Sequence, residues 1–191
     1  VRLRLHRVRE IARFSALTCL QQSIMNLGIL AVQGLVNSFG TTVMAAFAAA
    51  VNIDAFAYLP VQDFGNAFSI FTAQNVGAGH TGRIQKGIRT AVVISLGFGL
   101  FLSACVFAFA GPLMTLFIKA EETAVVAEGV RYLRIEGAFY FLIGGLFLLY
   151  GLYRALGKPG MSVVLTVVSL GTRVLLAYAL SALPAVGVAG I

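Results

Sequence analysis

Five long apolar stretches follow one another along the chain, separated by short polar or glycine-rich connections. They cover about residues 14–36, 43–76, 90–118, 130–156 and 161–182, and another apolar segment begins near residue 187. About 20 helical residues cross a hydrocarbon core of roughly 30 Å, so each stretch is long enough to span a bilayer. The pattern predicts an all-α integral membrane protein, a polytopic helical bundle with five complete transmembrane helices and the start of a sixth.

The second stretch is too long for one straight crossing, and it contains Pro60 near its middle. Proline removes a backbone donor and leaves the carbonyl four residues earlier without its usual partner. We therefore expect either a bend at Pro60 or a helical extension beyond the membrane.

Residues 1–13 precede the first stretch and have amphipathic spacing. One face carries Arg2, His6, Arg9 and Arg13, and the opposite face carries Leu5, Val8, Ile11 and Ala12. This predicts an amphipathic cytoplasmic lead-in that lies in the membrane interface. A basic loop is the alternative.

Composition and charge support a membrane protein. Hydrophobic residues make up 59% of the chain and charged residues 11%, whereas soluble domains carry about 25% charged residues. The net charge is +7, but the basic residues lie between apolar stretches and not in one stripe, which argues against nucleic acid as a partner. They concentrate in alternate connections, at residues 1–13, 83–89 and 154–158. This predicts that the N-terminus of the chain lies in the cytoplasm and that membrane lipid is a partner.

The first stretch carries four amides on one helical face, within an arc of about 60°. These candidate cavity-lining residues are Gln22, Asn26, Gln33 and Asn37. Unsatisfied amides in hydrocarbon cost several kcal/mol each, so they must face protein or a hydrated cavity. Hydrogen bonds between helices and a polar cavity wall are both consistent with this stripe.

The second stretch carries two acids, Asp54 and Asp63, on either side of Pro60. A carboxylate within the bilayer is costly and normally has a partner, a hydrated cavity or a function. Beside a proline that frees a carbonyl oxygen, such an acid suits a proton or sodium site. A buried structural acid is the alternative for each. The candidate cavity-lining residues on this stretch are Tyr58, Gln62 and Asn66.

Arg173 lies about 18 Å from the cytoplasmic end of the fifth stretch at the helical rise. An arginine at that depth requires a partner. Glu136 and Asp54 lie at comparable depth, so we predict that Arg173 contacts at least one of them, and Glu136 is a third candidate for ion coupling.

Residues 77–82 match G-x-G-x-x-G literally, but no βαβ pattern surrounds them, so a tight turn after a helix is the better interpretation. His6 and His80 are far apart and lack nearby ligands, so no metal site is predicted. No nucleophile and base arrangement is present either, and we expect neither an enzyme nor a bound cofactor.

The chain resembles transporters of the multidrug and toxic compound extrusion (MATE) family. The resemblance is carried by AAVNIDAFAYLP at 49–60, FGNA at 64–67, AQNVGAG at 73–79, YLR at 132–134, YRALG at 153–157, and Arg173-Val174 followed by Ala177-Tyr178. It implies the second lobe of a two-lobe, twelve-helix transporter, whose N-terminal six-helix lobe is missing from this chain. It also implies exchange of protons or sodium for small organic, mainly cationic and amphipathic, substrates.

One departure concerns the second-lobe sodium site of some family branches, which carry a glutamate in the seventh helix and an aspartate in the tenth. Here the first stretch has Gln21 and Gln22, and the fourth is apolar around Ile143. Coupling is therefore expected at Asp54 or in the other lobe. Two alternatives remain: a lipid-linked oligosaccharide flippase of the same superfamily, which requires more cationic residues in its cavity, and a non-transporting membrane scaffold, whose amides would all be satisfied by protein.

Overall fold

A computed structural model describes residues 5–182, apart from the side chains of His6, Arg7 and Glu10. Every regular element in this range is a helix. In order they are α1 (Leu5–Asn37), α2 (Thr41–Gly77), α3 (Thr81–Thr115), α4 (Thr123–Gly137), α5 (Tyr140–Ala155) and α6 (Pro159–Ser181). Four helices are long and apolar enough to cross a membrane, and α4 with α5 adds a fifth span if the bent pair is one crossing. The predicted all-α membrane fold is confirmed.

The basic lead-in and the first span form one helix from Leu5 onward, without a boundary near residue 13. The predicted lead-in is therefore not a separate element in the described range. Leu5 and Ile11, on its apolar face, are both strongly exposed, as are Arg9 and Arg13 on the other face. The backbone of residues 1–4, with Arg2, and the side chain of His6 lie outside the described residues.

Helix α2 runs without interruption for 37 residues, with Pro60 inside it. At the helical rise its length is about 56 Å, well above a hydrocarbon core of roughly 30 Å. The helix therefore continues through Pro60 and is long enough to extend beyond the membrane.

The fourth predicted span, about residues 130–156, is wrong as a single helix. It is replaced by α4 and α5, which meet at an angle of 51°. At the junction the Phe139 N–H donates to the Glu136 carbonyl, which tightens the last turn of α4. Hydropathy does not reveal this break, because the apolar pattern continues through Gly137, Ala138 and Phe139.

Two turns, after α2 and after α5, use glycine where the backbone requires a positive φ. Gly79 and Gly157 both have φ of 72°. The next residue in each turn closes the helix end, with His80 N–H bonded to the Asn75 carbonyl and Lys158 N–H to the Tyr153 carbonyl, both at 2.9 Å. This is the Schellman arrangement, which satisfies carbonyls that the helix leaves free. The turn interpretation of residues 77–82 is confirmed.

Helix α5 packs closely against α2 and α3 through glycine. A Cβ on Gly151 would lie 2.6 Å from the Gly65 carbonyl oxygen, and a Cβ on Gly99 would lie 2.6 Å from the Phe141 Cα. Such approaches leave no room for a side chain at either position. Helices α2, α3 and α5 therefore form a tightly packed group. Helices α1 and α6 pack against one another and contact this group through α2 and α5.

Candidate functional site

The candidate site is a cavity of about 370 Å³ enclosed by residues of α1, α2, α4, α5 and α6. Helix α3 contributes no residue to it. Three charged side chains line this otherwise largely apolar space: Asp54 from α2, Glu136 from α4 and Arg173 from α6. Three separate helices thus bring the chain's deepest charges to one place.

Asp54 is half-buried on the cavity wall. The Tyr140 hydroxyl donates a hydrogen bond to Asp54 Oδ1, and Tyr140 itself is only 3% exposed because it begins α5 inside the core. Asp54 also interacts electrostatically with Glu136 and Arg173. Tyr140, in the first turn of α5, therefore holds the Asp54 carboxylate in position, and the charged groups that influence this carboxylate are Glu136 and Arg173.

Glu136 and Arg173 form an ion pair, with Arg173 Nη2 3.3 Å from Glu136 Oε1. The pairing expected from their depths is present. The second carboxylate oxygen of Glu136, Oε2, is buried and has no hydrogen-bond partner among the described residues. A buried, unpartnered acceptor is costly, because it has given up water without replacement. This oxygen is the unsatisfied position of the cluster.

The charges of the cluster do not balance when all three groups are ionised. Asp54 and Glu136 contribute two negative charges and Arg173 one positive charge, which leaves a net charge of −1. Binding one proton or one monovalent cation makes the cluster neutral. In a low-dielectric cavity the electrostatic free energy of the charged cluster differs strongly from that of the neutral cluster. The cluster therefore has the charge of a site for a single cation.

Aromatic rings form much of the remaining wall. Tyr58 stacks on Phe147 with ring centroids 6.0 Å apart, and Phe147 meets Tyr150 edge to face at the same separation. Phe47 and Tyr132 form a third pair at 5.3 Å. Ring faces attract organic cations and provide flat apolar surface. Together with the acids, they make a wall suited to an amphipathic cation.

A second, smaller cavity of about 250 Å³ adjoins the first and extends along α4 to Glu128 and Arg131. Tyr132, Glu136 and Arg173 line both spaces. The ion pair therefore stands where the two cavities meet.

Three of the seven predicted cavity-lining residues line the main cavity, namely Gln22, Asn26 and Tyr58. Gln33 and Asn37 are exposed but do not line it. They continue the same stripe of α1, but the cavity lining on this helix ends at Val32.

The structure does not bring Asp63, Gln62 or Asn66 into this cavity. Asp63 is nine residues after Asp54, which places it about 180° around the helix, and its side chain is exposed. Asn66 instead accepts a hydrogen bond of 2.9 Å from Arg154 Nη2 and so ties α2 to α5. Gln62 is half-buried outside the cavity lining, and Pro60 is exposed within the unbroken helix.

Sequence reasoning missed Tyr132 and Tyr140, which flank Glu136 at four residues on either side. Side chains four apart share a helical face, so the spacing was a usable signal. The bend between Gly137 and Tyr140 leaves both tyrosines in the cavity wall. Among the described residues, no group of three His, Cys, Asp or Glu side chains is placed to hold a metal ion.

The sequence model of the MatE family matches residues 18–179, which is most of the chain and includes every residue that lines the main cavity. The chain belongs to the MatE family. The resemblance seen in its motifs is thereby confirmed.

Two curated relatives from Bacillus subtilis (strain 168) support this assignment. The protein named "Probable multidrug resistance protein YoeA" is 28% identical over 159 residues, which cover 83% of this chain and 34% of that relative. The protein named "Probable multidrug resistance protein YpnP" is 32% identical over 150 residues, which cover 78% of this chain and 33% of the relative. The chain thus spans about a third of the length of these relatives.

A solved structure has the same fold. It is described as a MOP superfamily transporter from Pyrococcus furiosus whose binding pocket has reverse polarity. The TM-score is 0.86 at 20% identity, and the match covers 95% of this chain and 40% of that protein. At this identity the likeness establishes the fold alone.

Proposed function

We propose that this chain is the C-terminal lobe of a secondary-active antiporter of the plasma membrane. The complete transporter exports organic compounds, chiefly cationic amphipathic ones, in exchange for protons or sodium ions. It works with an N-terminal six-helix lobe, and its basic connections face the cytoplasm. Membership of the MatE family and relatives named as multidrug resistance proteins support the transport class.

The observation that carries the coupling proposal is the cluster with a net charge of −1 and one unpartnered carboxylate oxygen. A proton or sodium ion at Asp54 and Glu136 neutralises the cluster. A cationic substrate competes for the same negative charge and for the aromatic wall. The ion and the substrate therefore favour different states of the cavity, and linkage requires that each weaken the binding of the other.

Export then follows from alternating access. With the cavity open to the cytoplasm, the organic cation binds against the acids and the rings. After the two lobes rearrange, the coupling ion enters from outside, neutralises the cluster and lowers the affinity for the substrate, which leaves. The ion gradient supplies the free energy for the cycle.

The experiment is gradient-driven dye efflux by the complete transporter in liposomes, with Asp54→Asn compared against Asp63→Asn. Asparagine keeps the acceptor for the Tyr140 hydroxyl but removes the charge. We expect Asp54→Asn to reduce export to the level of protein-free liposomes. Asp63→Asn is the matched control on the opposite face of the same helix, and we expect it to leave export unchanged.

Both variants must elute as single species from size exclusion, so that a loss of export is not a loss of folding. Equal export by wild type and Asp54→Asn under proton and sodium gradients would remove this acid from coupling. Comparing the two gradients for the wild type identifies the coupling ion.

The flippase alternative requires a cationic cavity for a pyrophosphate. Among the described residues of the main cavity, Arg173 is the one cationic side chain, and Glu136 neutralises it. The scaffold alternative requires the amides of α1 to be satisfied by protein. Gln22 and Asn26 are exposed to the cavity and have no hydrogen-bond partner among the described residues. Both observations favour transport of a cationic compound.

A further inference from the structure

A groove of about 530 Å³ lies between α2 and α3, on a part of the bundle that does not line the cavity. Its α2 wall is apolar and follows helical spacing, with Phe64, Ala67, Phe68 and Phe71. Its α3 wall carries Arg83, Lys86, Gly87, Thr90 and Ala91. The groove is therefore apolar along one helix and basic at the start of the other.

Close packing shapes the floor of the groove. Phe68 is 7% exposed and packs against Ala91 in a buried cluster. Phe71 lies against the backbone of Gly87, where an added Cβ would come within 2.4 Å of its ring. Phe71 remains 40% exposed on its outer side. Phe68 and Phe71 thus present an apolar surface next to Arg83 and Lys86.

The surroundings of the groove are apolar on the outside of the bundle. Helix α3 exposes large side chains along its length, including Val93, Leu100, Phe101 and Phe109, each more than half exposed. In a membrane-spanning helix such a face contacts lipid. The groove therefore opens toward acyl chains.

Lys86 lies at the depth of lipid headgroups, and Arg83 lies just outside that layer, from where its long side chain can extend into it. The apolar stretch of α3 begins near residue 90, so Lys86 lies about 6 Å and Arg83 about 10 Å before that edge at the helical rise. A headgroup layer is roughly 5–8 Å thick on each side of the hydrocarbon. Neither cation forms an ion pair within the part of the chain that the structure describes, where Arg173 and Glu136 make the one salt bridge.

We propose that this groove binds one anionic phospholipid of the cytoplasmic leaflet. Its phosphate lies between Arg83 and Lys86, which are one helical turn apart and carry charges of the same sign. Its acyl chain follows Phe71, Phe68 and Phe64 toward the bilayer centre. The apolar wall and the cationic rim match the two ends of a single lipid, and basic pockets between helices at this depth bind anionic headgroups.

The test titrates phosphatidylglycerol onto the detergent-purified complete transporter and measures bound lipid by native mass spectrometry. Phosphatidylcholine with identical acyl chains is the headgroup control, and glycerol 3-phosphate is the probe without an acyl chain. The groove variant is Arg83→Gln/Lys86→Gln. The matched control is Arg13→Gln/Lys158→Gln, which removes the same charge at the same end of the bundle.

We expect phosphatidylglycerol to bind the wild type more tightly than phosphatidylcholine. Each groove cation contributes roughly fivefold in affinity, so the groove variant weakens binding about 25-fold. The control variant changes it by less than about twofold. Equal losses in the two variants, equal binding of the two lipids, or displacement of the lipid by equimolar glycerol 3-phosphate would each overturn the proposal.

Discussion

The ion pair between Glu136 and Arg173 gives the most quantitative prediction. At 3.3 Å, two unit charges interact by about 5 kcal/mol with an effective dielectric constant of 20. The Arg173 side chain is 47% exposed, and solvent screening lowers the contribution of such pairs strongly. We therefore expect a coupling free energy of about 1–2 kcal/mol between these two side chains.

The perturbation is a double-mutant cycle of Glu136→Gln and Arg173→Met. Removing Arg173 alone leaves Asp54 and Glu136 with a net charge of −2, whereas removing Glu136 alone leaves the cluster neutral. Arg173→Met should therefore destabilise the protein more than Glu136→Gln. The double variant restores the net charge of −1, so its loss should be smaller than the sum of the two single losses.

The assay is thermal unfolding of the purified transporter in detergent, followed by size-exclusion fluorescence. A change of 1 kcal/mol shifts the Tm of a domain of this size by about 2–4 °C. A loss of about 1–2 kcal/mol in Arg173→Met should lower the Tm by roughly 2–8 °C by the same conversion. Arg131→Met removes an exposed arginine with no ion pair in the described residues, and it should lower the Tm by less than about 1 °C. Losses that add to within about 0.5 kcal/mol would show that the pair is not coupled, and would refute the electrostatic account of the cluster.

Two further predictions concern packing. Gly99→Ala should destabilise the bundle by about 1–3 kcal/mol, because the new Cβ meets the Phe141 backbone at 2.6 Å. The control is Gly97→Ala, whose Cβ would have nothing within 4 Å. It should be neutral or slightly stabilising in the same unfolding assay. Asn66→Ala should cost about 1–3 kcal/mol by leaving the Arg154 guanidinium without its acceptor on α2, and a Tm equal to that of wild type would show that this bond does not join the two helices.

The helices were largely predictable because the bilayer imposes a simple rule on sequence. Long apolar runs located both ends of α2 and α6 and the C-terminal ends of α1 and α3 to within about three residues. Helices α1 and α3 each begin about nine residues before the predicted span, because their first turns are polar and basic. The break between α4 and α5 was not predictable from hydropathy, since Gly137, Ala138 and Phe139 are all compatible with a lipid-facing helix. Tyr140, which begins α5 directly after the break, is buried in the core, and hydropathy does not indicate that burial either.

The sequence predicted the depth of the site residues in the membrane better than the helix face on which each one lies. Counting residues from the membrane edge placed Glu136 and Arg173 at one level, and the structure joins them. Asp63 was predicted as an ion-coupling candidate together with Asp54, although nine residues turn it to the opposite face of α2. Asn66 was predicted to line the cavity, but it accepts a hydrogen bond from Arg154. Arg154 is 88 residues away in the sequence, so no local pattern indicates this contact.

The central claim is that Asp54 and Glu136 hold the coupling ion in competition with the substrate. The most direct measurement is the dissociation constant of a cationic dye for the complete transporter, titrated against pH and, separately, against sodium. For the wild type we expect dye binding to weaken as one of the two ions is added, and for Asp54→Asn/Glu136→Gln we expect that dependence to vanish. An unchanged ion dependence in the double variant would contradict the account.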